Sequence, residues 1–310
     1  MYYNLIWLLK YIVPRAMLAA RERTQARQRD KLARRLARGP DETRKDFLSY
    51  ILRYNEAAAK SDQQAEKPGT TKGKEALTPG EIFTNASILI IAGSETTATL
   101  LSGLTYHLLR RRNRRIYERL QSEIRTAFTS AQDITMRSVN ELRYLSAVLD
   151  EGMRLYPPAP IALPRVVPKG GEVIDGAFVP GGVTVGVHHL ATYHSPANFH
   201  RPLSFAPERW MPEATADASS VYYKDDRAAF QPFSLGPRAC IGRNLALAEM
   251  KLVLCRMVWE FEMSLEDEER EERGEEEEEV LDEVGKWQEE QSVFLIWKKG
   301  PLMVRLVPRT

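Results

Sequence analysis

The stretch LTPGEIFTNASILIIAGSETTATLLSGLTYHLLRR, residues 77–111, limits what this chain can fold into more than any other. Its middle is apolar on nearly all sides, so a helix built from it offers no face to water and reads as an interior helix of the molecule. Thr78 is placed to cap that helix, with Pro79 at its first position and Glu81 at its third. The run NASILIIAGS falls well short of the roughly 20 apolar residues a bilayer requires, so it reads as helix core and not as a span. NLIWLLKYIV (4–13) is also short and carries Lys10, which suits a packed or interfacial helix.

Residues 1–57 read as helix, with a break near Pro14 and a long basic run after it. Residues 60–76 are polar and read as a loop. RRIYERLQSEIRTAF and VNELRYLSAVLDEGMRLY predict two further helices. Pro157, Pro158, Pro160, Pro164 and Pro168 then end the helical texture, and GEVIDGAFVPGGVTVGVHHLATY alternates like short strands joined by glycine turns. Helix returns from about Asn244 to Glu260. Residues 264–286 read as an acidic insertion and 287–310 as closing strands, among them GPLMVRLVP. The fold class is mainly α with a small β portion (α+β), in a single domain over 1–310.

The formal net charge is only +2, which does not mark the whole chain as a nucleic-acid binder. Its charges are uneven, basic over 21–38 and acidic over 266–283, and both runs read as solvated surface. A nucleic-acid arm on 15–38 is the rival reading, but no base-reading motif accompanies it. Two cysteines cannot build a disulfide framework.

One of them, Cys240, lies in FSLGPRACIG (233–242) just before a helix. Packing, nucleophile, half-disulfide and metal ligand are the open alternatives for it. Gly236 and Gly242 let the backbone turn tightly and approach something closely. Arg238 and the helix N-terminus favour thiolate over thiol, and Phe233 supplies a flat apolar surface. A cation, a thiolate and an aromatic plate suit a planar anionic cofactor with a metal at its centre, namely haem with an axial thiolate. Cys255, on the apolar stripe of the following helix, reads as core.

This loop resembles the haem-binding signature Phe-x-x-Gly-x-Arg-x-Cys-x-Gly of the cytochrome P-450 monooxygenases, with every specified position filled. AGSETT (92–97) is similar to the family's oxygen-activating turn. EGMR (151–154) and APERW (206–210) match its Glu-x-x-Arg helix and its Pro-Glu-Arg-Trp segment, and the four motifs follow in the family's order. LPRVVPKGGEVIDGAFVPGG looks closest to fungal members of secondary metabolism, resembling trichothecene-pathway hydroxylases and benzoate para-hydroxylases.

The resemblance implies that Cys240 is the axial iron ligand. Arg238 and Arg165 would pair with haem propionates, with Phe233, Gly236 and Gly242 shaping the haem loop. Ala92 and Gly93 would open a groove over the iron, Thr96 would offer its hydroxyl to dioxygen and Glu95 would help relay protons. Ile161, Ala162 and Leu163 would run past the substrate. Glu151, Arg154 and Arg209 would form a buried structural ion triad, although Glu-x-x-Arg pairs elsewhere are usually surface salt bridges worth about 0–1 kcal/mol.

The implied reaction inserts one oxygen atom from O2 into an apolar small molecule, with electrons from NADPH-cytochrome P-450 reductase and cytochrome b5 as a further candidate donor. Family members start upstream with an anchor in the endoplasmic reticulum membrane. The sequence therefore predicts a partial haem domain, soluble or peripheral as given, and a truncated non-catalytic haem binder or inactive fragment is the alternative.

Overall fold

The computed structural model describes residues 15–39, 46–64, 76–266 and 285–309. The apolar segment 4–13, Pro14 and most of the acidic run lie outside them. The chain gathers into two compact units, 1–92 and 93–310.

The first unit holds α1 (Arg15–Leu36), α2 (Phe47–Gln64) and the opening turns of α3 (Pro79–Leu109). Buried Arg35 ties α1 to α2: its Nε donates to Asp46 Oδ2 at 2.7 Å and its Nη2 to Ser49 Oγ at 2.6 Å. The Arg35 hydrogen bond holds the Asp46 carboxyl well below the usual carboxylate range. Asn55 of α2 exchanges two hydrogen bonds with the backbone of Leu77, at 2.8 and 2.9 Å, fixing the approach to α3. The cap expected at Thr78 is present: its Oγ1 accepts from Glu81 N at 3.2 Å, and Glu81 Oε2 accepts from Thr78 N at 2.8 Å. α2 continues to Gln64, so residues 60–64 are helix and not loop. Lys60 and Gln63–Gln64 are ordinary helix formers, and polarity alone does not end a helix.

The second unit is built on the rest of α3, α4 (Arg114–Ala127), α5 (Arg143–Leu155) and α8 (Arg243–Glu260), with Leu100, Leu104, Leu120, Leu145, Leu149 and Val258 among its core residues. α3 and α5 approach so closely that a Cβ on Gly103 would fall 2.1 Å from the Tyr156 ring. VNELRYLSAVLDEGMRLY is not one helix. A 3-10 turn (Ser138–Glu141) precedes α5 and Leu142 is extended between them. The reason lies on α4, where the Glu123 carboxylate accepts from the amides of Tyr144 and Leu145, both at 2.8 Å, and so starts α5 there.

The strands are short antiparallel pairs. β1 (Arg165–Val166) pairs with β4 (Thr184–Val185), and β2 (Glu172–Ile174) with β3 (Ala177–Val179) across Asp175–Gly176, both at positive φ. The alternation stops at His188, and α6 (His189–Tyr193) replaces the strand that HHLATY suggested. A short α7 (Pro212–Ala216) follows the Pro-Glu-Arg-Trp turn. β5 (Phe261–Leu265) pairs residue for residue with β8 (Val304–Pro308). Between them lie α9 (Lys286–Glu289) and the hairpin of β6 (Ser292–Val293) and β7 (Trp297–Lys298). Residues 264–265 therefore belong to a strand and Lys286 to a helix, so both ends of the expected insertion are structured.

α3 departs from the sequence expectation in one half. Leu100, Leu104 and Leu108 are buried, but Ile88, Ile90 and Ile91 are about half exposed. Apolarity on all sides shows what a helix is able to bury. Whether a neighbour covers it is a separate matter.

Candidate functional site

The site begins with a buried ion cluster. Glu151 and Arg154 lie one turn apart on α5, completely buried, and the Arg154 guanidinium meets the carboxylate through two hydrogen bonds of 2.8 and 2.9 Å. Arg209, delivered by the 3-10 turn Pro207–Trp210, donates from Nε to the same carboxylate at 3.1 Å. Trp210 Nε1 (2.9 Å) and Ala206 N (2.8 Å) complete the shell of Glu151. Burial alone would push the Glu151 carboxyl up, but Arg154 and Arg209 outweigh it and bring it below its ordinary value.

The cluster has a fourth member that the sequence motifs did not mark. Asp225 is buried and bonds Arg209 Nη1, so two carboxylates answer two guanidiniums. Its other oxygen accepts from His200 N at 2.7 Å. Only the adjacent acidic pair Asp225–Asp226 was visible in the sequence, and nothing local says which partner it meets. From Asp225 the backbone is fastened step by step towards the cysteine: Asp226 N to Asn198 O at 2.7 Å, Arg227 Nη2 to the Arg209 carbonyl at 2.7 Å, and Gln231 N to Tyr193 Oη at 3.1 Å.

The cysteine loop follows. Ser234 (φ 59°) and Gly236 (φ 74°) take left-handed backbone that turns the chain into the short 3-10 segment Gly236–Arg238. Cys240 N then donates to Phe233 O at 2.8 Å, closing the loop on itself. Gly242 precedes α8, and a Cβ there would sit 3.8 Å from Cys240 Sγ. Arg243, also unmarked by the motif, lies over the Phe233 ring at 5.8 Å.

The loop presents its chemistry outward. Cys240 is exposed while Cys255 is fully buried, its thiol pushed by burial up to about 12. Leu235, Ile241 and Leu245 are exposed around the thiol, Ile241 at 78%. Arg238 and Arg165 are exposed too. Among the described residues Arg165 bonds only the Pro164 carbonyl, and Arg238 has no ion-pair partner. Phe233 is half-buried against the core. An accessible thiol, an exposed guanidinium at Arg238 with a second at Arg165 that has no carboxylate partner among the described residues, and an uncovered apolar rim are the donor set that suits a flat apolar disc carrying a metal and two carboxylates. The residues present therefore fit haem.

The turn of α3 is open on one side. Ala92, Gly93 and Glu95 are exposed and Thr96 is half-buried. A Cβ on Gly93 would meet nothing within 4 Å, so its surroundings leave room. Ile161, Ala162 and Leu163 are half-buried just before β1.

Residues 3–286 match the family model for cytochrome P450. The chain is 44% identical over 97% of its length to cytochrome P450 monooxygenase astA of Talaromyces wortmannii, of which it covers 52%. It is 38% identical over 98% of its length to the trichothecene C-4 hydroxylase of Trichoderma arundinaceum, covering 55% of that protein. To the averantin hydroxylase of Dothistroma septosporum it is 38% identical over 99%, covering 51%. The chain thus spans about half the length of the curated relatives it matches.

Proposed function

The chain belongs to the cytochrome P450 family, and from that premise we propose that it is the thiolate-bearing part of a monooxygenase that inserts one oxygen atom from O2 into an apolar small molecule. Family members generally bind haem through a cysteine thiolate, and the residue that would hold it in this chain is Cys240. When bound, the haem supplies the reductive activation of O2 that no side chain provides.

The remaining work falls to the chain's own residues. Arg238 and Arg165 would hold the propionates, since a guanidinium matches a carboxylate. Phe233 and Gly236 would shape the loop that holds the haem. Thr96 Oγ1 and the Glu95 carboxylate hold and pass protons at the open turn of α3. Ile161 to Leu163 exclude water and orient the apolar substrate, which we place among fungal secondary metabolites because the relatives are trichothecene and averantin hydroxylases. A flavin reductase using NADPH supplies the electrons, with cytochrome b5 as a second donor, at the endoplasmic reticulum membrane where such partners reside.

One observation carries this reading. The chain's single exposed cysteine stands on a loop closed by its own hydrogen bond, which also carries the exposed Arg238 and the uncovered apolar side chains Leu235 and Ile241. The test is the reduced, carbon monoxide-treated spectrum of the chain loaded with haem. A thiolate-type Soret band that is lost in Cys240→Ser supports the site, and a band unchanged by that substitution overturns it. Product formed with reductase and NADPH, and diminished in Thr96→Ala by about tenfold or more, separates an oxygenase from a haem binder that does not turn over.

A further inference from the structure

The first unit carries a cleft of its own. α1, α2 and the opening turns of α3 enclose a space of about 270 Å³ whose walls are almost wholly apolar. Leu32 of α1, Ile51 of α2, and Ala86 and Leu89 of α3 form its floor, and Phe47 and Ile90 stand exposed at its lip. None of its lining residues belongs to the cysteine loop, the ion cluster or the turn Ala92–Thr96.

The charges at its edge are unequal. Arg35 also lines the cleft, but its guanidinium is engaged by Asp46, Ser49 Oγ and the Gly39 carbonyl. Lys31, at the same edge, is exposed and makes neither ion pair nor hydrogen bond among the described residues, and neither does the Gln28 amide beside it. Among the described lining residues Arg35 and Asp46 pair with each other, which leaves the Lys31 ammonium and the Gln28 amide over an apolar interior. Most sites for drug-sized ligands run to roughly 300–1,000 Å³, so this one suits a single chain or ring and not a polycyclic body.

We infer that the cleft binds a small amphiphilic anion, a medium-chain carboxylate, with its hydrocarbon against Leu32, Ile51 and Leu89 and its carboxylate at Lys31 Nζ and the Gln28 amide. The test is calorimetric titration of the full chain with decanoate, with decylammonium as the charge-reversed probe. Saturable one-to-one binding of decanoate, and weaker binding of decylammonium, is the expected result. Lys31→Glu, a surface change, should weaken decanoate about fivefold, as loss of an exposed ion pair allows, and Ala86→Trp should abolish it by filling the cleft. Absence of saturable binding, or decanoate affinity unchanged in Lys31→Glu, overturns the proposal. So does binding to the haem-loaded chain that shifts the Soret band in step with occupancy, since the anion would then lie over the haem. Failure of the haem reading itself leaves this measurement untouched.

Discussion

Asp225 and Phe233 are near neighbours in sequence, yet they belong to regions of opposite character. In the cluster of Glu151, Arg154, Arg209 and Asp225 each carboxylate and each guanidinium is bonded and buried. Around Cys240 the thiol, the Arg238 guanidinium and three large apolar side chains are all exposed. The first region is completed by folding, and the second by whatever binds to it. Stability and ligand chemistry therefore lie side by side in this chain but rest on different residues.

The sharpest way to break that contrast is at Glu151. Glu151→Gln leaves two guanidiniums buried with one carboxylate between them, and should lower the free energy of unfolding by about 3–5 kcal/mol, read by urea denaturation at pH 7. Cys240→Ser should leave that free energy within about 0.5 kcal/mol of the parent, as surface changes do. A small effect at Glu151, or a large one at Cys240, would erase the distinction.

Asp225 refines it. Asp225→Asn keeps a hydrogen-bond acceptor for His200 N but removes a charge from Arg209, and should cost about 2 kcal/mol, less than Glu151→Gln because the second carboxylate remains. An unchanged midpoint in the same denaturation would remove Asp225 from the cluster.

The smallest effect is one of pH. Burial pushes the carboxyl of Asp150, beside Glu151 on α5, up to about 6 against the pull of Lys251 and Arg243. The folded chain then holds a proton that the unfolded chain releases near pH 3.9. The contribution of Asp150 is full below that pH and is lost as pH rises through 6. His107 has the opposite sign. Burial pulls its imidazole down to about 3, so the contribution is full above the ordinary value near 6.5 and is lost as pH falls towards 3. Asp150→Asn should therefore gain about 1–2 kcal/mol at pH 7 and leave a stability that climbs from pH 4 to 6.5. A profile parallel to the parent's would show that Asp150 is charged in both states.

What the sequence disclosed followed how local each signal is. The cysteine loop, the cap at Thr78 and the pair Glu151–Arg154 are written within a few residues, so their geometry can be read from spacing. Asp225 meets Arg209 and His200 only after the chain has turned back on itself. His107 gives its Nε2 hydrogen to Gln288, far along the chain, so no window of sequence holds both. The interruption at Leu142 was hidden for the same reason, because the carboxylate that starts α5 stands on α4. The exposed isoleucines of α3 were missed for another cause: periodicity records the wish to be covered and says nothing of the cover.

The pairing of β5 with β8 has an outcome for how this gene can vary. Phe261 faces Pro308 and Leu265 faces Val304, and Glu266 N still reaches Met303 O beyond the last pair. The strands act as a clasp whose register is set by their own pairing, and within it Gln288 and Trp297 are buried, the first on His107 and the second on the Pro157 carbonyl. Genetic variation inside the clasp is therefore costly at Gln288 and Trp297, because each is buried against partners more than a hundred residues away in sequence.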